Sequence, residues 1–375
     1  MDRMQKIQAY IQAHREQIID DVIALVEHQS PTTNKAYSEK CADFLIELVR
    51  ERLGIAPEAV FPQEDRARHL FFRIGSGRPK AILIGHYDTV WDVDALPLVR
   101  EGNKISGPGV FDMKYGIISG IWGLKALMET GGIDYCVGFF MNSDEETGSR
   151  TSRPCYEPIA KTFEHALILE PLMQGNFKTS RKGIGNFTVE VTGVAAHAGN
   201  DPLKGRSAIL EAARLTEKLF ALTDLEKRSS VNVGVISGGT KPNVVAAHAT
   251  LQVDLRVTKA SEAERMTKAI YALTPSMDGV SIQISGGMNR PPFEENEKTQ
   301  ALFAKAKALA AQMGMDVTSG LSGGGSDGNF TSSWGIPTLD SLGGAGDGAH
   351  AAWEHILVDE SLRTTVLFAS LLDSI

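Results

Sequence analysis

Two polar clusters end apolar runs, and their residue types suggest metal chemistry. Gly85-His86-Tyr87-Asp88-Thr89 follows Ala81-Ile82-Leu83-Ile84, and Asp144-Glu145-Glu146-Thr147-Gly148 follows Val137-Gly138-Phe139-Phe140-Met141. A polar tip on a buried strand is where α/β proteins place their chemistry. One tip offers an imidazole and a carboxylate, the other three consecutive carboxylates, a donor mix that suits Zn²⁺. Residues i and i+2 lie on the same side of a strand, so His86 and Asp88 can touch. Either His86 binds a metal while Asp88 orients its ring, or the histidine caps a strand turn. Three adjacent negative charges are costly without a cation, because like charges disfavour ionisation. With one, neighbouring glutamates can divide the work, one ligating and the other taking a proton from water. An exposed acidic loop is the bland alternative, and the position directly after a buried strand weighs against it.

Further candidates lie downstream. Gly107-Pro108-Gly109-Val110-Phe111-Asp112-Met113-Lys114 is a stiff turn that delivers one carboxylate, to a metal or as the cap of the next helix. Glu170 ends the run Ala166-Leu167-Ile168-Leu169 and precedes Pro171, another acidic group at a strand tip. His350 follows the glycine-rich stretch 343–348 and precedes Glu354; neither is remarkable alone. His355 has the weaker claim, since Trp353 and Ile356 suggest packing. Gly323-Gly324-Gly325-Ser326-Asp327-Gly328 lacks the Gly-Lys-Ser/Thr ending of a P-loop, so it reads as a flexible substrate-facing loop, with Gly324 as its candidate contact.

These residues need elements to position them. A helical pattern runs to residue 30, stopped by Ser30-Pro31-Thr32, and a second spans 36–53, stopped at Gly54. Strands are predicted at 69–74, 81–84, 137–141 and 166–169, with an apolar helix over 116–129. Strands alternating with helices indicate an α/β sheet covered on both faces. From Phe187 to Thr192 the pattern alternates strictly, as in a half-exposed antiparallel strand. The order β-α-β-β-α-β then follows, a split βαβ or ferredoxin-like unit at 183–288. It reads as an insertion into a domain formed by 1–182 and 289–375.

Composition narrows the function class. At 42% hydrophobic and 22% charged, the 375-residue chain is ordinary for a globular protein. The net charge of −8, with no Lys/Arg block, argues against nucleic acid or an anionic membrane as partner. Cys41, Cys136 and Cys155 show no metal or disulfide spacing. The N-terminal residues form a charged amphipathic helix without signal-peptide character, so the cytoplasm is the expected location.

In chain order these segments resemble the co-catalytic zinc aminoacylase and carboxypeptidase family. It includes glutamate carboxypeptidase, to which the chain looks most similar, acetylornithine deacetylase, succinyl-diaminopimelate desuccinylase and aminotripeptidase. Gly-His-Tyr-Asp-Thr-Val at 85–90, Gly-Pro-Gly-Val-Phe-Asp-Met-Lys at 107–114 and Asp-Glu-Glu-Thr-Gly at 144–148 carry the resemblance jointly. It implies a mixed-sheet zinc-exopeptidase domain with the insertion as lid and dimerisation domain. It also implies two Zn²⁺ per chain, with Co²⁺ or Mn²⁺ acceptable to the same N/O donors. Asp112 would bridge, His86 and Glu170 would complete one site, and Glu146 and His350 the other. Glu145 would be the general base, Asp88 the partner of His86, and the peptide Asp112-Met113 cis. Ala195-Ala196-His197-Ala198-Gly199 matches the segment whose histidine reaches the partner subunit's site and stabilises an oxyanion. Lys241-Pro242-Asn243-Val244 matches a substrate-contacting asparagine. Arg256 and Arg290 match positions that look toward a substrate carboxylate; their bland readings are a strand-end salt bridge and a hinge residue. Ala247-His248 departs from the family pattern and could be a mere strand start. The implied reaction is hydrolysis of an amide or peptide bond next to a carboxylate-bearing amino acid, in a homodimer acting on small peptides or N-acyl amino acids. N-acyl-amino-acid deacylase, desuccinylase and dipeptidase activities stand as alternatives. A metal-dependent binding protein is the non-enzymatic one, against which the presence of Glu145 argues.

Overall fold

The strand that ends in His86 organises the first part of the molecule. In the computed structural model, which describes all residues 1–375, Pro79–His86 is buried along nearly its whole length. Ala81 and Leu83 join one apolar cluster and Ile82 and Ile84 another, as a period of two requires for a strand covered on both faces. The mixed sheet runs Ala59–Phe61, His69–Ile74, Cys136–Asn142, Pro79–His86, His165–Ile168, Thr338–Leu339 in spatial order. Pro79–His86 is parallel to both of its neighbours, while His69–Ile74 is antiparallel to Cys136–Asn142. His86 lies opposite Asn142, and Ile84 opposite Ile168. Three parallel strands therefore end at one edge, and the segments after them, with Asp88, Asp144 to Glu146 and Glu170, emerge side by side.

Helices cover both faces. Arg3–Ala13, Arg15–Glu27, Lys35–Leu53, Tyr115–Gly131, Glu297–Gln312 and Val358–Ser374 contribute to the larger cluster, Arg153–Ala160 and Gly328–Ser333 to the smaller. Tyr115–Gly131 is apolar almost all round and buried accordingly. The single helix expected to residue 30 is two helices. His14 leaves the α region at φ −105°, ψ 16° and turns its Nδ1 to the Tyr10 carbonyl at 2.8 Å. A second, five-stranded sheet runs Val99–Glu101, Lys104–Ser106, His355–Leu357, Ala345–Asp347, Leu172–Met173. Ala345–Asp347 and His355–Leu357 are antiparallel, so the turn between them, 348–354, presents His350 at its tip, with φ 62°. No helix is long and apolar enough to cross a membrane.

The chain divides into two compact units. The first comprises Met1–Thr179, Glu295–Leu321 and Ser326–Ile375, the second Ser180–Glu294 and Ser322–Gly325. The second unit has the strand and helix order Gly183–Thr192, Ala208–Phe220, Ser230–Gly238, His248–Val257, Ala260–Tyr271, Ser281–Arg290. Its antiparallel sheet is ordered Ser230–Gly238, His248–Val257, Gly183–Thr192, Ser281–Arg290, a ferredoxin-like arrangement. Phe187, Val189 and Val191 alternate inward and pack with Leu215, Leu219, Met266 and Ile270 of the two helices. His248 is exposed and opens its strand.

Candidate active site

Seven sequence-predicted residues meet at the sheet edge of the first unit. His86, buried at the strand end, points Nδ1 at the main-chain oxygen of Asp88, 2.9 Å away, and 3.5 Å from its carboxylate. A carbonyl only accepts, so Nδ1 carries a proton and Nε2 is the nitrogen offered to the site. Nε2 lies 3.2 Å from Asp112 Oδ1 and 3.8 Å from Glu170 Oε1. On the other side of Asp112, Oδ2 is 3.4 Å from His350 Nε2, which is also 3.1 Å from Glu146 Oε2. Asp112 thus stands between two imidazoles, one oxygen toward each. Donor atoms of His86, Glu145 and Glu170, and of His86, Asp112 and Glu146, form groups within 4.8 Å of one another.

This charge balance calls for cations. Asp112, Glu145, Glu146 and Glu170 outnumber the two imidazoles, so the cluster stays anionic even with both rings charged. Bonds to Asp112 and Glu146 push His350 up to about 11. Burial opposes charge on His86, yet Asp112 and Asp88 hold it well above the usual imidazole value. Burial likewise opposes ionisation of Asp112, and the two histidines overcome it, pulling the carboxyl down. Burial pushes Glu146 up, and its Oε1 is buried with no hydrogen-bond partner. An orphaned carboxylate oxygen among converging N and O donors fits divalent metal ions, which take up just such oxygens.

The supporting residues are as specific. Asp88, fully buried, accepts the Thr32 hydroxyl at 2.7 Å and the backbone N–H groups of Glu145 and Glu146 at 3.2 and 3.3 Å. It therefore positions both glutamates as well as facing His86. Asp144 turns away, accepting the Thr151 N–H and hydroxyl at 2.7 and 2.8 Å, so the acidic triplet is an anchor followed by two site residues. The turn before Asp112 needs Gly109 at φ 70°, where a Cβ would overlap Thr89. The peptide Asp112-Met113 is cis. Buried Lys114 donates to the carbonyls of Leu25 and His28 at 3.0 and 2.9 Å, closing the end of Arg15–Glu27. The loop read as one substrate-facing segment divides. Gly323 and Gly324 are exposed, whereas Ser326 and Asp327 are buried. Asp327 accepts from Asn142, Ser149 and Tyr156 at 2.5, 2.5 and 3.1 Å, which ties it to the end of Cys136–Asn142. Sequence reasoning passed over this anchoring role. His355 turns Nδ1 to the Trp353 carbonyl at 2.9 Å.

The other predicted residues belong to the second unit. His197 is exposed, and its Nδ1 accepts the N–H groups of Gly199 and Asn200 at 3.2 and 3.1 Å. In the neutral ring the proton must then sit on Nε2, leaving an outward donor. His197 bridges Val244, and the Asn243 carbonyl accepts the Ala198 N–H at 3.0 Å, so the His197 and Asn243 segments are adjacent. Arg256 is committed to Asp254, with Nε and Nη2 at 2.8 and 2.9 Å, and to the Gly323 carbonyl at 3.3 Å. Arg290 is buried and so close beneath Gly325 that a Cβ there would meet its Cδ. Arg181, which sequence reasoning missed, donates to the carbonyls of Gly324 and Gly325 at 3.4 and 3.3 Å. The adjacent basic pair Arg181-Lys182 before a strand was its only signal.

Comparison with known proteins decides the family. An M20 peptidase dimerisation domain model matches residues 179–276. Carboxypeptidase G2 of Pseudomonas sp. (strain RS-16) is 32% identical over 286 residues, covering 74% of this chain and 69% of that one. The chain belongs to the M20 peptidase family. Acetylornithine deacetylase of Proteus mirabilis (strain HI4320) is 26% identical over 269 residues, 67% of each chain. The M20 fold is shared with aminopeptidase PepT from Bacillus cereus ATCC 10987, with a TM-score of 0.76 at 22% identity over 96% of this chain and 98% of that one. The resemblance read from the motifs is borne out, and the M20 chain is a metal-dependent hydrolase of amide bonds.

Proposed function

We propose that this M20 enzyme is a dinuclear zinc hydrolase that cleaves an amide or peptide bond next to an amino acid with a free carboxylate, as a glutamate carboxypeptidase would. The observation that carries this reading is Asp112 between His86 and His350, one oxygen toward each. His86 and Glu170 would hold one ion, Glu146 and His350 the other, and Asp112 both. Bound there, Zn²⁺ would polarise the scissile carbonyl and make a water more acidic. Glu145 takes the water proton and returns it to the leaving amine. Asp88 keeps Glu145 and Glu146 in register through their N–H groups. The competing activities, N-acyl-amino-acid deacylase or dipeptidase, use the same residues and differ in the group recognised. Three free cysteines support a reducing compartment such as the cytoplasm.

In this reading the second unit, which contains the insertion expected at 183–288, is a lid and dimerisation domain. Its edge strand Ser230–Gly238 exposes Val235 and Ile236, and Ala208–Phe220 exposes Ile209 and Leu210, apolar surface that a second copy would cover. His197 Nε2–H would donate to the oxyanion in the partner subunit's site. Mixing inactive His197→Ala and Glu145→Ala chains is then expected to restore activity through hybrid dimers. Proven subunit exchange without recovery would rule out action across subunits.

Arg290 would receive the substrate carboxylate beside the Gly324 and Gly325 loop, and Asn243 would contact substrate from the segment next to His197. Arg256, which is paired with Asp254, is the second candidate for this role. Arg290→Ala is expected to raise KM about 10- to 100-fold for substrates with a free carboxylate and to leave their carboxamide analogues nearly unchanged. Equal effects on both would contradict the assignment.

A further inference from the structure

The side chain of Glu354 has no place in the chemistry above, yet it is almost fully buried and takes four donors. Its Oε1 accepts the N–H groups of Phe111 and Asp112, both at 3.0 Å. Its Oε2 accepts the Gly109 N–H at 3.1 Å and the Trp91 indole N–H at 2.6 Å. Three of these donors are the backbone of the turn that delivers Asp112, gathered as an anion-binding concavity. The fourth lies three residues beyond Asp88 in sequence. Glu354 itself lies four residues beyond His350. One carboxylate therefore joins the segments that carry Asp88, Asp112 and His350.

We propose that Glu354 is a positioning residue that fixes Asp112 between His86 and His350 and thereby sets the affinity of the centre for its two ions. This rests on the dinuclear reading above. The physical reason lies in the backbone. Buried N–H groups need an acceptor, and only a carboxylate offers acceptors at both ends of a planar fork. Glutamine keeps the volume and loses this property. Its amide –NH₂ must face either the Phe111 and Asp112 N–H pair or the Gly109 and Trp91 pair, donor against donor. The turn must then move, and Asp112 moves with it. Loss of a group that orients a metal ligand typically weakens metal binding about 10- to 100-fold.

The test uses the full chain stripped of metal. Zn²⁺ is titrated against a competing chelating indicator, and the visible absorption of the Co²⁺-loaded protein is recorded. The wild type is expected to bind in two steps. Glu354→Gln is expected to weaken metal binding about 10- to 100-fold and to shift the Co²⁺ bands, because the geometry of the shared ligand Asp112 changes. A purely structural role would lower the melting temperature and leave both binding steps and the Co²⁺ bands as in the wild type; that result overturns the proposal. If Glu354→Gln does not fold, Trp91→Phe decides. It removes one of the four donors and is expected to weaken metal binding about threefold, the scale of one lost hydrogen bond, and an unchanged titration overturns the proposal. A wild type that fails to bind two ions would bring down the dinuclear reading first, and this proposal with it.

Discussion

Glu145→Ala is expected to lower turnover about 10³-fold, the scale of a lost general base, while the protein keeps about two metal ions per chain. The two glutamates are adjacent in sequence, and their N–H groups are both held by Asp88, at 3.2 and 3.3 Å. Their side chains face different surroundings. The Glu146 carboxylate is buried and 3.1 Å from His350, in the position of a ligand. Glu145 lies with His86 and Glu170, where a base would meet the attacking water. That same proximity defines the competing possibility, Glu145 as a ligand. Metal content separates the two. Loss of an ion together with activity would make Glu145 a ligand, and residual turnover within about tenfold of the wild type would remove it as the base.

The site was legible where its chemistry sits at the ends of regular elements. His86, Glu146 and Glu170 follow apolar runs, and a parallel register must bring such ends to one edge. Asp112 and His350 lie on irregular turns, and their types alone gave no assignment; the resemblance of whole motifs supplied it. The same holds for the division of labour between Glu145 and Glu146. Sequence reasoning failed where a residue's meaning lies in a distant partner. Asp144 looks like a third site carboxylate until Thr151 is seen to take it. Glu354 and Asp327 look like ordinary loop acids, because the N–H groups and hydroxyls they hold are supplied by segments far away in the chain. The ferredoxin-like order was readable from strict alternation in the second unit. The break at His14 was not, because the apolar spacing continues across it.

The largest effect of all is expected from removing metal. Without ions, Asp112 and Glu146 favour the protonated form of His350, so a proton competes for the nitrogen that the proposed site would offer to metal. Reloading must displace them and is therefore favoured as pH rises. The stripped site would also present its clustered carboxylates to the carboxylate-bearing substrate proposed above, which opposes binding. Activity should fall to background with a strong chelator, return with Zn²⁺, and return more readily at pH 8 than at pH 6.

The most direct measurement is hydrolysis of a panel of N-acyl and peptidyl amino acids and their C-terminal carboxamides, run before chelation, after chelation and after Zn²⁺ is restored. The expected result is cleavage of members with a free carboxylate, abolished by the chelator and recovered with the metal. Cleavage that survives complete removal of metal, or a protein carrying two ions per chain that cleaves no member of the panel, would contradict the account.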